Sequence, residues 1–153
     1  LGLAVEKGEA HAIADGDPNL LLIQRRTKGL VDLATNLSGE YAAKTCCVLG
    51  VSGAMVRNDK GTAAALTRAI VEASDFVADN PAETARIYSP YTKVAESELR
   101  AVLATLTHRS HPVGKNLKEE IEFYARDFKL VKVLKPTTDP ARFASHVFAD
   151  VLT

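Results

Sequence analysis

The sequence lacks most of the features that mark specialised protein classes. Its two cysteines, Cys46 and Cys47, are adjacent, so they form neither a disulfide framework nor a spaced metal motif. Nineteen basic and nineteen acidic side chains cancel, which argues against a nucleic-acid surface. No apolar run approaches the roughly 20 residues of a membrane-spanning helix. What remains is an ordinary globular composition, 46% hydrophobic and 25% charged.

Motifs of two large enzyme classes are also missing. There is neither a G-x-G-x-x-G nor a Walker pattern, so nucleotide binding has no support. Ser52 is not in a G-x-S-x-G nucleophile elbow, because Gly53 follows it directly and the motif needs one residue between them. The chain also starts at Leu1 in a helix-like run without a cap residue. We therefore expect it to be part of a longer protein, and the lack of a signal peptide says nothing about compartment.

The first third of the chain predicts short helices alternating with strands. Asp17 is placed to cap a helix with Pro18 at its first position, and this helix ends near Gly29. Residues 45–56 are rich in β-branched side chains and predict the strongest strand. The predicted order is a helix at 1–7, strands at 10–14, 31–34 and 45–56, and the Asp17 helix between the first two strands.

The remainder of the chain predicts only helices. An apolar stripe from Leu66 to Val77 is followed by starts at Asn80-Pro81 with Glu83, at Asn116 with Glu119, and at Asp139-Pro140. Another helix is predicted from Leu99 to Leu106. Two or three strands make too small a sheet for so many amphipathic helices. We therefore expect a missing N-terminal half, or a second copy of the chain, to complete the sheet.

Four segments follow one another in a recognisable order: Gly8 to Pro18, Val48 to Asn58, Ala65 to Ala85 with Asn80-Pro81-Ala82-Glu83, and Tyr124 to Pro140. In this order they resemble the nitrate-, taurine- and alkanesulfonate-binding proteins of bacterial ABC importers, in which the second segment is the crossing strand. The resemblance covers nearly the whole chain. It implies an α/β fold, the C-terminal part of a type 2 periplasmic binding protein with few strands at the front and a helix-rich remainder.

The resemblance also implies a division of the chain and a function. Residues 1–36 would end the second lobe, and residues 37–153 would return to the first. The function implied is capture of a small polar organic molecule or oxyanion, resembling nitrate, sulfonate or taurine, for an ABC permease. The expected location is the periplasm, or the cell surface as a lipoprotein. No cofactor, metal or nucleic-acid partner is expected.

Two other functions stay open at this stage. The family includes relatives of the thiamine pyrimidine synthase, whose cysteine-rich run lies at the same strand, and this chain keeps Cys46 and Cys47 of that run. An enzyme that makes a pyrimidine precursor is therefore one alternative. A ligand sensor or regulatory binding lobe is the other.

The turn Asp15-Gly16-Asp17-Pro18 is the first candidate ligand site. It follows a predicted strand and precedes a predicted helix, a position where α/β proteins bind ligands. In the family this turn faces the cleft with an aromatic residue, and here Gly16 stands in that place. Its two carboxylates disfavour a simple inorganic anion. Asp17 is interpreted either as a helix cap or as a ligand contact.

Cys46 and Cys47 are the second candidate site. In a strand their side chains would point to opposite faces, so one at most would face a cleft. Core packing of two small thiols is the other interpretation. His108 and His111 have a metal-compatible spacing but no third ligand nearby, and His11 and His146 stand alone. No metal site is predicted.

Overall fold

In a computed structural model, the described residues are 1–36, 38–105 and 114–153, and within these ranges the chain forms helices and no strand. The 3₁₀ turns in this part of the chain are Gly39–Tyr41 and Ser89–Tyr91. The α-helices are α1 (Gly2–Glu6), α2 (Asn19–Arg26), α3 (Gly53–Asn58), α4 (Lys60–Asp79), α5 (Pro81–Tyr88), α6 (Glu96–Thr105), α7 (Gly114–Leu130) and α8 (Pro140–Val147).

The prediction of an α/β fold with a type 2 periplasmic binding protein sheet is wrong for the described chain. Residues 10–14, 31–34 and 45–52 are neither helical nor paired as strands, and the end of the third predicted strand is helix α3. A strand needs a ladder partner and a packed face. At Thr45 the hydrogen-bond partners of the backbone are side chains of helix α7 instead of a neighbouring strand. The Thr45 N–H donates to the Glu120 carboxylate at 2.8 Å, and the Tyr124 hydroxyl donates to the Thr45 carbonyl at 2.7 Å.

The helices were predicted more successfully than their caps. The Asp139 carboxylate accepts the Arg142 N–H at 2.7 Å, as predicted, with Pro140 in the first turn. At α5 Pro81 is again in the first turn, but Asn80 donates its side-chain amide to the Phe76 carbonyl and makes no cap bond. Glu83 pairs with Arg86 instead of reaching back to the cap. The expected capping box is therefore wrong.

Two further cap predictions are wrong. Helix α2 begins at Asn19, one position beyond Pro18, and no side chain caps it. Helix α7 begins at Gly114, so Asn116 lies inside it. Leu106 and the pair His108 and His111 lie outside the described residues.

The chain divides into two compact units. Unit 1 contains the described residues of Leu1–Thr35 and Asp75–His108, and unit 2 contains those of Asn36–Ser74 and Arg109–Thr153. The first division lies next to the 36/37 boundary of the predicted lobes, but the described residues of 75–108 belong to the same unit as the first segment. The assignment of lobes stays a prediction.

Unit 1 is built around α2, α5 and α6. Ala85, Val94 and Leu99 are buried, and Leu21, Leu22 and Leu103 pack against them. An ion pair between Arg25 and Glu98 joins α2 to α6. Thr27 is the buried polar residue of this unit, and its hydroxyl donates to the Glu6 carboxylate at 3.0 Å, which links α1 to the end of α2.

Unit 2 combines α3, residues 60–74 of α4, α7 and α8. Its buried residues, among those described, are all alanines: Ala63, Ala64, Ala125 and Ala144. Small side chains allow helices to approach closely but fill little volume. The large apolar side chains of unit 2 therefore remain at least partly accessible. No helix in the described ranges is long and apolar enough to span a bilayer.

Candidate functional site

The main concave feature of unit 2 is an open apolar groove of about 1040 Å³. We call it the unit 2 groove. Its volume is at the upper end of the range of small-molecule sites, which runs from about 300 to 1,000 Å³. The residues that line it are Asn36, Tyr41, Thr45, Cys46, residues 48–51, Gly53, Val56, Arg57, Thr67, Leu117, Ile121, Tyr124, Phe128, Phe143, residues 146–149 and Val151.

Helix α7 supplies one wall of the groove. Leu117, Ile121, Tyr124 and Phe128 follow one another at spacings of four, three and four residues, so they share one helical face. Tyr124 packs edge-on against Phe123 with ring centroids 5.4 Å apart, and Tyr41 stacks on Tyr124 at 6.1 Å. This aromatic cluster fixes the orientation of the wall.

The hydroxyls of the wall are held by hydrogen bonds. Tyr41 donates to the Asp127 carboxylate at 2.8 Å, and this bond, together with burial, raises the pKa of Tyr41. Burial, followed by the charge of Glu120, raises the pKa of Tyr124. Both phenols are therefore neutral at physiological pH. The carboxylates of Glu120 and Asp127 are likewise engaged, with the Thr45 N–H and with Tyr41.

Arg57 is the one Asp, Glu, Lys or Arg residue among those that line the groove. It lies in the last turn of α3, and its guanidinium folds back over the first turn of the same helix. A Cβ added at Gly53 would lie 3.0 Å from its Nη1. Within the described chain no carboxylate contacts this guanidinium. The side chain is therefore available for an anion at the edge of an apolar surface.

Cys46 lines the groove, and Cys47 follows it along the chain. Both are exposed, and their Sγ atoms lie 3.7 Å apart. The thiol–thiol hydrogen bond and burial raise the pKa of Cys46. Of the two predicted interpretations, core packing is wrong for these exposed side chains, and the ligand contact stays a prediction. The described chain has no group of three or more His, Cys, Asp or Glu arranged to hold a metal.

The other predicted site lies in unit 1. Asp17 and Pro18 line a smaller cavity of about 680 Å³, together with Tyr88, Tyr91 and Lys93. Asp15 accepts a hydrogen bond from the Gly16 N–H at 2.8 Å, so one oxygen of its carboxylate is engaged within the turn. The turn itself has no aromatic residue, because Gly16 stands in that place. Tyr88 and Tyr91, both exposed, line the same cavity.

Arg57, Tyr124 and His146 were not identified from the sequence as site residues. The apolar face of α7 has the periodicity of any amphipathic helix, and such a face usually packs in a core, so it does not by itself indicate a groove wall. Arg57 lies in the segment Val48 to Asn58, which the resemblance identified as a crossing strand. In the structure it lies in α3 and lines the groove.

Searches of protein-family models, of curated proteins and of solved structures find no significant match to this chain.

Proposed function

We propose that this protein is a non-catalytic solute-binding protein that holds an organic anion with an apolar body in the unit 2 groove. The observation that carries the proposal is the composition of the groove wall, which is predominantly apolar with a single formal charge at Arg57. Burial of a hydrocarbon body against apolar surface contributes about 0.8 kcal/mol of binding free energy for each buried CH₂. The planar guanidinium of arginine suits carboxylate and sulfonate groups, which it binds through two parallel hydrogen bonds.

The four sequence segments that resemble nitrate-, taurine- and alkanesulfonate-binding proteins support the same class of function. On this proposal the chain delivers its solute to an ABC permease, in the periplasm or at the cell surface. The groove favours one part of that range of ligands. Nitrate has no apolar body to fill it, whereas an alkanesulfonate or a carboxylic acid with several carbons has both required parts.

A homologous series of ligands tests the proposal. Calorimetric titration with butane-, hexane-, octane- and decanesulfonate is expected to give one site per chain. The dissociation constant should fall about fourfold for each added CH₂ as long as the chain fits the groove. Alcohols of the same length should bind more weakly because they lack the charge. Equal affinity for decanol and decanesulfonate would overturn the role of Arg57.

The matched variants are R57Q and R68Q. Arg68 lies on α4 in the same unit, is exposed and does not line the groove. R57Q should weaken decanesulfonate about tenfold or more, the loss of a charge-assisted hydrogen bond of about 1.5–3 kcal/mol. R68Q should leave the affinity unchanged. If both variants weaken binding equally, the effect is one of net charge and the proposed site is wrong.

Mass analysis of the recovered ligand separates the receptor from the enzyme alternative. After prolonged incubation with the protein, the sulfonate should be recovered unchanged. Conversion of an added compound to a pyrimidine precursor would favour the synthase-like alternative.

A further inference from the structure

The adjacent cysteines have a geometry that is not needed for binding an organic anion. Their Sγ atoms are 3.7 Å apart, and both residues are exposed. They are the two cysteines of the whole chain. A thiol pair so placed can act as two ligands to a single atom, a capacity that neither thiol has alone.

The backbone before this pair is held from both sides. The Thr45 N–H donates to Glu120 and its carbonyl accepts from Tyr124, both on α7, while the Thr45 hydroxyl donates to the Cys47 carbonyl at 3.0 Å. These three bonds hold the backbone beside Cys46, which lines the groove, and the Cys47 thiol lies next to that of Cys46. A ligand of both sulfurs would therefore meet a prepared pair, because the chain on which the pair sits is already ordered.

A disulfide between the pair is disfavoured by covalent geometry. Neighbouring Cα atoms are about 3.8 Å apart, whereas disulfides usually need about 4.4–6.8 Å, so an adjacent-residue disulfide is strained and easily reduced. The pair is therefore expected to persist as a dithiol under conditions that oxidise ordinary pairs. Structural zinc is also a poor fit, because it takes four protein ligands and the described chain clusters no third metal-binding side chain here.

We propose that Cys46 and Cys47 form a chelating site for a monosubstituted trivalent arsenical whose apolar substituent occupies the unit 2 groove. Such a compound offers two exchangeable positions on one atom and keeps one organic group. The reaction is R–As(OH)₂ + 2 Cys–SH → R–As(S–Cys)₂ + 2 H₂O. Two As–S bonds replace two As–O bonds, both thiol protons leave as water, and arsenic stays trivalent, so no oxidant or reductant is needed.

The groove decides which substituent is preferred. Cys46 lines it next to Val48 and Leu49, and Phe148 lines it as well. An aryl group on arsenic can therefore be buried in the groove when the two As–S bonds form. A methyl group would bury less apolar area and should bind more weakly. This inference goes beyond the proposed anion function. It uses the thiols rather than Arg57, so either proposal can fail while the other holds.

The test is titration of the full chain with phenylarsine oxide, which is hydrated in water to the dihydroxy form. One equivalent should protect both thiols from an aromatic disulfide reagent, and methylarsonous acid should bind more weakly. C46S and C47S each keep one thiol and should bind phenylarsine oxide about 100-fold or more weakly, because chelation is lost. Single-thiol variants that bind as tightly as the native chain would overturn the proposal.

A measurement on the native chain guards against misfolded variants. A small dithiol should remove the arsenical, whereas a monothiol at the same thiol concentration should not. Release by the monothiol, or protection of a single thiol per arsenical, would show simple one-thiol attachment and would contradict the chelating site.

Discussion

Among single residues, Cys46 combines an exposed side chain with a raised thiol pKa. Its hydrogen bond with Cys47 and its partial burial raise the pKa of the Cys46 thiol. Because the thiolate is the nucleophile, a raised pKa lowers the reactive fraction near neutral pH. We expect slow alkylation of Cys46 by iodoacetamide at pH 7, and an increase in rate that is displaced to higher pH relative to a free cysteine. A pH–rate profile with residue-resolved mass analysis measures this.

The variant C47A supplies the control for this prediction. It removes the sulfur that raises the pKa of Cys46, so the profile should move to lower pH and the rate at pH 7 should rise. The direction is informative, since a residue limited by access alone would keep its midpoint in C47A. An unchanged midpoint would show that the thiol–thiol hydrogen bond is not the cause.

Individual residues also show how far sequence patterns reach. Asp139 was predicted as a cap because carboxylate, proline and apolar stripe all agree locally, and that agreement needs no tertiary information. Asp17 has the same local pattern but makes no cap, because α2 begins one position beyond Pro18. The residues next to Arg57 in the sequence do not indicate that it lines a groove. Its role depends on which segments fold against α3, and a linear pattern does not contain that information.

At the level of elements, the start of α4 depends on one carboxylate. Asp59 precedes the helix and accepts the Thr62 N–H at 3.1 Å, and the bonds to Thr62 lower the pKa of Asp59. A carboxyl group whose pKa is lowered by folding stabilises the folded state above its unfolded pKa of about 3.9. That stability is lost as the pH falls through the lower folded pKa. The native chain should therefore lose its advantage over D59N between about pH 5 and pH 2.

Thermal unfolding across this pH range checks the prediction. Asparagine also caps helices, so D59N should fold, with a smaller dependence on acid. E72Q is the matched control, because Glu72 lies on the same helix away from its start and is exposed. It should follow the native curve in shape. If E72Q and D59N flatten the acid dependence equally, the effect belongs to general charge and not to the cap.

Helices and strands differ in what a sequence can predict about them. A helix satisfies its own backbone, so α4 and α8 followed from apolar periodicity and start signals. A strand depends on a partner elsewhere in the chain. Residues 45–52 have strand-like composition, but their described backbone partners at Thr45 are side chains of α7. The prediction of a strand at 45–56 is therefore wrong: residues 45–52 are non-helical but pair with no strand, and residues 53–56 lie in α3.

On the scale of whole units, the described part of unit 2 buries no large side chain completely. Its described buried residues are alanines, while Val48, Leu49, Phe128 and Val147 remain 43–59% exposed along the groove. Exposed apolar surface that lines a concavity is a common property of ligand-binding sites. A bound apolar body would therefore supply part of the core that the side chains of this unit do not.

Ligand-linked stability follows directly from this arrangement. Decanesulfonate at 100 times its dissociation constant should raise the free energy of unfolding by about 2.7 kcal/mol. Hydrogen exchange should locate the gain, with slower exchange in α7, α8 and residues 45–51, which form the groove. Nitrate at the same concentration should protect none of these amides, because it buries no apolar surface. Protection confined to the segments around Asp17 and Tyr91 would place the ligand in the cavity of unit 1 instead, and the groove would then lose its proposed role.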